Sequence, residues 1–163
     1  MRASCQVPRR GRPNYGHEVT SPIAFTVTRV PAAETYPLRA LVLHGGAPPA
    51  TARVAGDDRP DVATFAAKDA DGEVVGCVGL FPAPEANWRV RRLATAEAWR
   101  GRGVGTAVLA AALAHADRLG GGTIWCNATP AGAALFQRAR FEQVGAPWED
   151  PEFGWNVRMV REV

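Results

Sequence analysis

Arg100-Gly-Arg-Gly-Val-Gly-Thr106 is the stretch whose residue types and spacing could do chemistry, and that chemistry is anion binding. Gly101, Gly103 and Gly105 carry no Cβ, so the chain can turn tightly there and bring its backbone close to a ligand. A strand-like run, Trp88 to Ala94, lies before the glycines. After them, apolar residues recur at Val104, Val108, Ala111, Ala112, Leu113 and Leu119, a helical period. The first amides of a helix have no intrahelical partner, and its dipole places partial positive charge there. The pattern suits a phosphate or pyrophosphate. A P-loop would need a lysine that this loop lacks. A dinucleotide fingerprint would need glycine where Thr106 or Val108 stands, and an acidic residue about twenty positions on; Asp117 comes early and falls inside the helix. The remaining pattern is R-x-x-G-x-G, met by Arg100, Gly103 and Gly105; a plain glycine turn before a core helix is the simpler alternative.

The elements that would position this loop can be read along the chain. Ala24 to Val30 alternates in polarity and predicts a first strand. Leu38, Leu41 and Val42 stand at helical spacing ahead of Gly45-Gly46, which predicts a short helix with a glycine stop. Residues 46–61 read as a loop with a short strand at Ala52 to Val54. Ala63 to Lys68 and Val74 to Phe81 flank the turn signal Asp69-Ala-Asp-Gly72, a hairpin. Pro82 to Ala86 then leads into the Trp88 strand. Gly120 to Gly122 ends the long helix, a strand starts at Thr123, and Pro130 opens the next helix where proline is tolerated. Glu142 to Ala146 and Trp155 to Arg161 read as two last strands separated by Pro147 to Gly154. Strands and helices mix without strict alternation, so the class is α+β.

With these elements in place, the chain resembles the GNAT superfamily of acyl-CoA-dependent N-acetyltransferases, whose R-x-x-G-x-G loop wraps the coenzyme A pyrophosphate. Trp88 to Thr95 is similar to the family strand before the loop, Thr123 to Ala128 to the next strand, and Ala131 to Phe141 to the following helix and its exit. Gly145 to Met159 resembles the tail of one bacterial branch, G-x-x-F-x-x-P-x-x-G-P-H-x-x-M, and Pro37 to Leu43 and Gly72 to Leu80 match its front half. The resemblance implies a mixed, mostly antiparallel sheet flanked by helices, with two central parallel strands splayed to admit the pantetheine arm. It implies acetyl-CoA as co-substrate, a small-molecule amine as acceptor, and no metal.

The resemblance also distributes roles. The diphosphate falls to Arg100, Gly101, Arg102, Gly103, Val104, Gly105 and Thr106, where arginines can add charge-assisted bonds. Polarisation of the thioester carbonyl falls to backbone amides near a strand bulge at Leu93, Ala94 and Thr95. Asn127 matches the position that bonds the pantetheine. Asn87 stands near where relatives place a basic glutamate, with Glu85 just upstream; a water chain is the alternative. The acid for the departing thiolate is a tyrosine in F-Y-x-x-x-G-F, but this chain reads Leu135-Phe136-Gln-Arg-Ala-Arg140-Phe141, so Phe136 replaces it. The branch's two histidines correspond to Thr64 and Asn156. The catalytic assignment is therefore Asn87, Leu93 and Thr95, with a catalytically quiet acyl-CoA-binding sensor or scaffold as the alternative. The acceptor would dock near Leu38 to His44, Arg89, Arg91, Trp148 and Trp155, with Glu149, Asp150 and Glu152 able to attract a cationic amine.

Composition sets the frame. A length of 163 residues suits one domain with a real core, and a hydrophobic share of 47% is ordinary for a globular protein. No apolar run approaches the roughly 18 residues of a membrane span, and the N-terminal stretch lacks a secretory h-region, so the expectation is cytoplasmic with no membrane partner. Cys5, Cys77 and Cys126 are too widely spaced for a disulfide framework or a metal knuckle, and His17, His44 and His115 add no ligand spacing. The net charge of +3 is a property of residues 1–20, where four arginines face Glu18; the rest is balanced. That segment reads as a disordered basic tail, with the natural start near Thr20 and a single domain over 21–163. No nucleic-acid partner is expected, and a homodimer through the C-terminal strands is open.

Overall fold

The computed structural model describes residues 24–84 and 87–163; the basic tail and Glu85 lie outside them. Strand β1 (Thr26–Val30) is followed by a 3-10 turn and helix α1 (Tyr36–Leu43). Then come β2 (Ala63–Lys68), β3 (Val74–Ala83) and β4 (Asn87–Thr95), helix α2 (Val104–Arg118), β5 (Thr123–Ala128) and helix α3 (Pro130–Arg138). Strands β6 (Glu142–Asp150) and β7 (Gly154–Glu162) close the order.

The seven strands form one sheet in the order β1-β2-β3-β4-β5-β7-β6. Every pairing is antiparallel except β4 with β5, which helix α2 connects. That parallel pair touches at two positions only, Trp88 opposite Ile124 and Arg89 opposite Trp125. Beyond them the strands part. The fold is the α+β arrangement with a central splay expected from the resemblance.

Strand β3 is buried along nearly its whole length because both of its faces are covered. On one side Val78 and Leu80 join Val90, Val104, Val108, Leu109, Ala112, Ile124, Phe136 and Met159 in the main core. On the other, Cys77 and Ala94 pack against Leu38 of α1. Such strands read as continuous apolar runs rather than alternating ones. Gly76 lets α2 approach this closely: a Cβ there would stand 2.3 Å from Val104 Cγ1.

Three sequence expectations need correction. Residues 52–54 make no strand; a 3-10 turn spans Pro49–Ala52, where paired prolines set the backbone and withhold amides a ladder would need. Pro147 to Asp150 is strand rather than loop, because a register shift between Val144 and Trp148 absorbs Gly145, at φ 78°, and Pro147. The reversal is confined to residues 151–153, with Asp150 Oδ1 accepting from the Glu152 and Phe153 amides at 2.9 and 3.0 Å. Helix α1 buries Leu38, Arg39 and Ala40 and leaves Leu41 64% exposed. Its turn inward at Arg39 has a partner: Nη1 donates to both oxygens of the buried Asp57, at 3.1 and 2.9 Å. Asp57 Oδ2 also accepts from the Val54 amide at 2.9 Å. Removing either side of such a pair strands a buried charge, at a cost of about 3–5 kcal/mol.

Candidate active site

Where β4 and β5 part, the sheet opens into a cleft of about 360 Å³. Its walls come from β4 (Arg89 to Leu93), from β5 and the start of α3 (Cys126 to Thr129), and from Phe136 and Phe153. Strand β4 is deformed on its other side as well. Cys77 pairs with Ala94 and Gly79 with Arg91, so Arg92 and Leu93 together face Val78 alone. This two-against-one arrangement is a β-bulge. Arg92 takes the left-handed conformation, φ 57°, and its carbonyl accepts the Cys77 thiol with sulfur at 3.5 Å. A non-glycine residue there carries a conformational cost, and such strain collects at functional sites.

Thr95 and the start of α2 adjoin this bulge. A 3-10 turn at Glu97–Trp99 leads to exposed Gly101 and Gly103, at φ 72° and 82°, and then to Val104. The Gly103 conformation is one that side chains resist. No side chain caps α2, although serine, threonine and aspartate commonly do so. Gly105 is a glycine for a different reason. A Cβ there would stand 2.8 Å from Leu135 Cδ1 and 3.3 Å from Thr95 Oγ1, so the bare backbone lets the first turn close on β4 and α3. Arg100 Nε donates to the Thr95 carbonyl at 3.4 Å, and the Arg102 guanidinium lies 5.5 Å from the Trp99 ring centre. Both side chains are exposed and neither forms an ion pair among the described residues.

Asn127 stands at the end of β5 on the cleft wall, with Oδ1 accepting from Arg158 Nε at 2.8 Å. The amide nitrogen is thereby left to donate. Phe136 also lines the cleft, buried and edge-on to Phe141 with ring centres 5.3 Å apart. The structure thus brings Leu93, Asn127 and Phe136 to one cleft and sets Thr95 and Gly105 together beside it. It does not bring Asn87 there. That residue begins β4 opposite Ala83, does not line the cleft, and is separated from Thr95 by roughly 26 Å of extended strand. Of the residues expected around the acceptor, Leu43, Arg89, Arg91 and Asp150 line the cleft while Trp148 and Trp155 stay outside it, and Phe153 and Asn156 line it in addition.

Sequence reasoning missed the bulge residue Arg92 and the burial of Arg39. The signal for the first was present in three arginines within Arg89 to Arg92, which break the polarity alternation of an ordinary strand. The thiols on the two faces of the sheet are quiet. Burial pushes Cys126 up to about 12 and also raises Cys77. No group of three or more metal-ligating side chains occurs among the described residues. None of their helices is long and apolar enough to cross a membrane.

A model of the acetyltransferase (GNAT) family matches residues 34–141, which carry the bulge, the glycine loop and most of the cleft wall. The chain belongs to the acetyltransferase (GNAT) family. No curated protein matches it in sequence. Among solved structures it is similar to a candidate N-acetyltransferase from Lactobacillus plantarum, with TM-score 0.72, 20% identity, and coverage of 85% of this chain and 98% of the other. It is similar to a candidate acyl-CoA N-acyltransferase from Klebsiella pneumoniae, with TM-score 0.68, 24% identity, and coverage of 85% and 97%. An aminoglycoside 6'-N-acetyltransferase solved in complex with coenzyme A gives TM-score 0.67 at 15% identity, over 84% and 96%. At these identities the likeness is one of fold, and membership rests on the family match. It makes this GNAT chain an acyltransferase that draws on an acyl-CoA. The residues fit that group: α2 offers amides that no side chain has claimed, beside a cleft between parted strands.

Proposed function

We propose that the protein transfers an acetyl group from acetyl-CoA to the amine of a small molecule. The observation that carries this reading is the uncapped, glycine-lined start of α2 set beside the β4–β5 splay. Backbone amides from Gly101 to Thr106 hold the diphosphate, aided by Arg100 and Arg102. Asn127, its oxygen fixed by Arg158, donates to the pantetheine arm. The bulge at Arg92 and Leu93 frees backbone from the ladder, and amides at Leu93 to Thr95 polarise the acyl carbonyl. One aligned donor of this kind is worth about 3 kcal/mol.

Acetyl-CoA, when bound, supplies an acyl carbon activated by its thioester. Transfer forms the nitrogen–carbon bond, breaks the carbon–sulfur bond and removes two protons from the ammonium, one lost to solvent and one ending on the departing sulfur. Phe136 has no proton to give, so protonation of the leaving sulfur falls to water. Asn87 has the smaller stake; turnover lowered by no more than a few-fold in Asn87→Ala clears it of a catalytic role. The same Phe136, buried against Phe141 where a hydroxyl would serve, favours a second reading as an acyl-CoA-binding sensor.

A thermal shift with acetyl-CoA tests what both readings share, since a ligand bound only by the folded state raises Tm. Release of free thiol across an amine panel separates them. The buried Cys77 and Cys126 thiols, both pushed above their ordinary range, add little to that signal, and a blank without amine subtracts the contribution of Cys5. Turnover of any amine supports the enzyme; acetyl-CoA binding with no turnover across a broad panel supports the sensor. No shift with acetyl-CoA overturns both.

A further inference from the structure

The cleft is basic where the acceptor must sit. Trp88 and Val90 of β4 pack with the core under α2, so Arg89 and Arg91 emerge on the opposite face, and the bulge adds Arg92. Three arginines line the cleft against one carboxylate, Asp150. Arg158 joins them from β7: its guanidinium and that of Arg89 lie 4.2 and 4.5 Å from the centre of the same Trp125 ring. None of these four forms an ion pair among the described residues. The Nε atoms of Arg89 and Arg92 are buried with no hydrogen-bond partner among those residues. Nε and Nη2 of Arg39 are open in the same way, so what sets the cleft arginines apart is that they line a cleft with no carboxylate paired to them.

Arg39 shows what the fold does with a buried guanidinium that has only a structural role, giving it Asp57 at 2.9 Å. The cleft arginines receive no such carboxylate. Their crowding is unfavourable as it stands: burial first, and Arg91 beside them second, lower the affinity of Arg89 and Arg92 for their protons. An anion would relieve it. Asp150 does not, because its Oδ1 is already held by the Glu152 and Phe153 amides. Its other oxygen remains for an ammonium. Glu149 and Glu152 are exposed and do not line the cleft, so the acidic turn does not make this a site for polycations.

We infer that the acceptor is an amine that also bears an oxyanion, a carboxylate or a phosphate, held by Arg89, Arg91, Arg92 and Arg158. This rests on the acetyl-transfer reading above. Guanidinium forks match both oxyanions in geometry and charge.

The test pairs each anionic amine with its neutralised counterpart in the thiol-release assay, using the full chain saturated with acetyl-CoA. Free amino acids face their amides, aminoalkyl phosphates face the amino alcohols, and spermidine represents polycations. The expected result is a preference in kcat/KM of tenfold or more for one anionic class, with the better class naming the oxyanion. Arg89→Gln and Arg91→Gln should raise KM for that class about tenfold with a much smaller change in kcat. Arg91→Glu should move the preference toward the amides and spermidine. A parallel thermal shift on the acetyl-CoA-loaded protein reads binding where turnover is slow and confirms that each variant is folded. Amides or spermidine matching the anions overturns the inference, as does an anionic preference untouched in all three variants. So does a loaded protein that neither turns over nor is stabilised by any anionic amine. If acetyl-CoA itself fails to bind, the acyl-transfer reading falls first and this one with it.

Discussion

Helices α2 and α3 each begin at the carboxyl end of one of the two parted strands, yet they treat their first amides in opposite ways. Thr129 caps α3: its hydroxyl accepts from the Gly132 amide at 3.2 Å, and Pro130 follows where a missing N–H costs nothing. Helix α2 starts at Gly103 in a left-handed conformation with no side-chain cap. One helix satisfies its own donors and the other holds them open. A glycine at the N-cap gives up only a few tenths of a kcal/mol against a side-chain cap, and it leaves the first amides of α2 open to the ligand that the proposed function puts there. That contrast is the physical basis for placing the coenzyme diphosphate at α2.

The contrast can be broken most severely by putting a carboxylate where the diphosphate belongs. Thr106 is exposed in the first turn of α2, so Thr106→Glu should leave Tm unchanged or slightly raised, since an acid there suits the helix dipole. The same change should weaken acetyl-CoA binding tenfold to a hundredfold, about 1.4–2.8 kcal/mol by calorimetry. Gly103→Ala comes next. Its φ of 82° should cost about 1–2 kcal/mol, read as a lower urea midpoint with an unchanged slope. Thr129→Ala sharpens the comparison from the other side. It should cost about 1 kcal/mol of stability while disturbing acetyl-CoA affinity far less than Thr106→Glu.

The smallest effect lies at the far end of α2. His115 sits edge-on to Phe65 with ring centres 5.6 Å apart, and burial, then Arg29 and Arg118, lowers its affinity for a proton. The unfolded chain therefore binds that proton more readily than the folded one. Stability should rise with pH from the lowered folded value up to about 6.5 and gain nothing from this group above it. His115→Gln should flatten that part of a Tm-against-pH profile; a slope that survives the change would assign it to another group.

The glycine loop and the cleft beside it also differ in how far the sequence disclosed them. The proposed diphosphate site is local: glycines, a helical period and an arginine within Arg100 to Thr106 carry its whole logic, so it can be read off the chain. The sheet order, the bulge at Arg92 and Leu93 and the acceptor wall are products of register between distant strands. Nothing near Arg39 announces that Asp57 will bury it, and no residue type near Asn87 shows that it lies at the end of β4 far from the glycine loop. Residues 147–150 read as a loop because proline and acidic residues disfavour strands, yet the β6 edge and its bulge tolerate them. The acidic turn after β6 read as a lure for cations, whereas the three-dimensional neighbourhood is dominated by guanidinium groups.

The central claim is that the open amides of α2 hold the diphosphate of an acyl-CoA. Calorimetric titration of acetyl-CoA into the wild-type chain and into Thr106→Glu, matched for Tm, tests it most directly. The account predicts a saturable heat with one coenzyme per chain in the wild type and a loss of at least tenfold in affinity in the variant. Absence of any heat with the wild type, or equal affinity in both proteins, would contradict it.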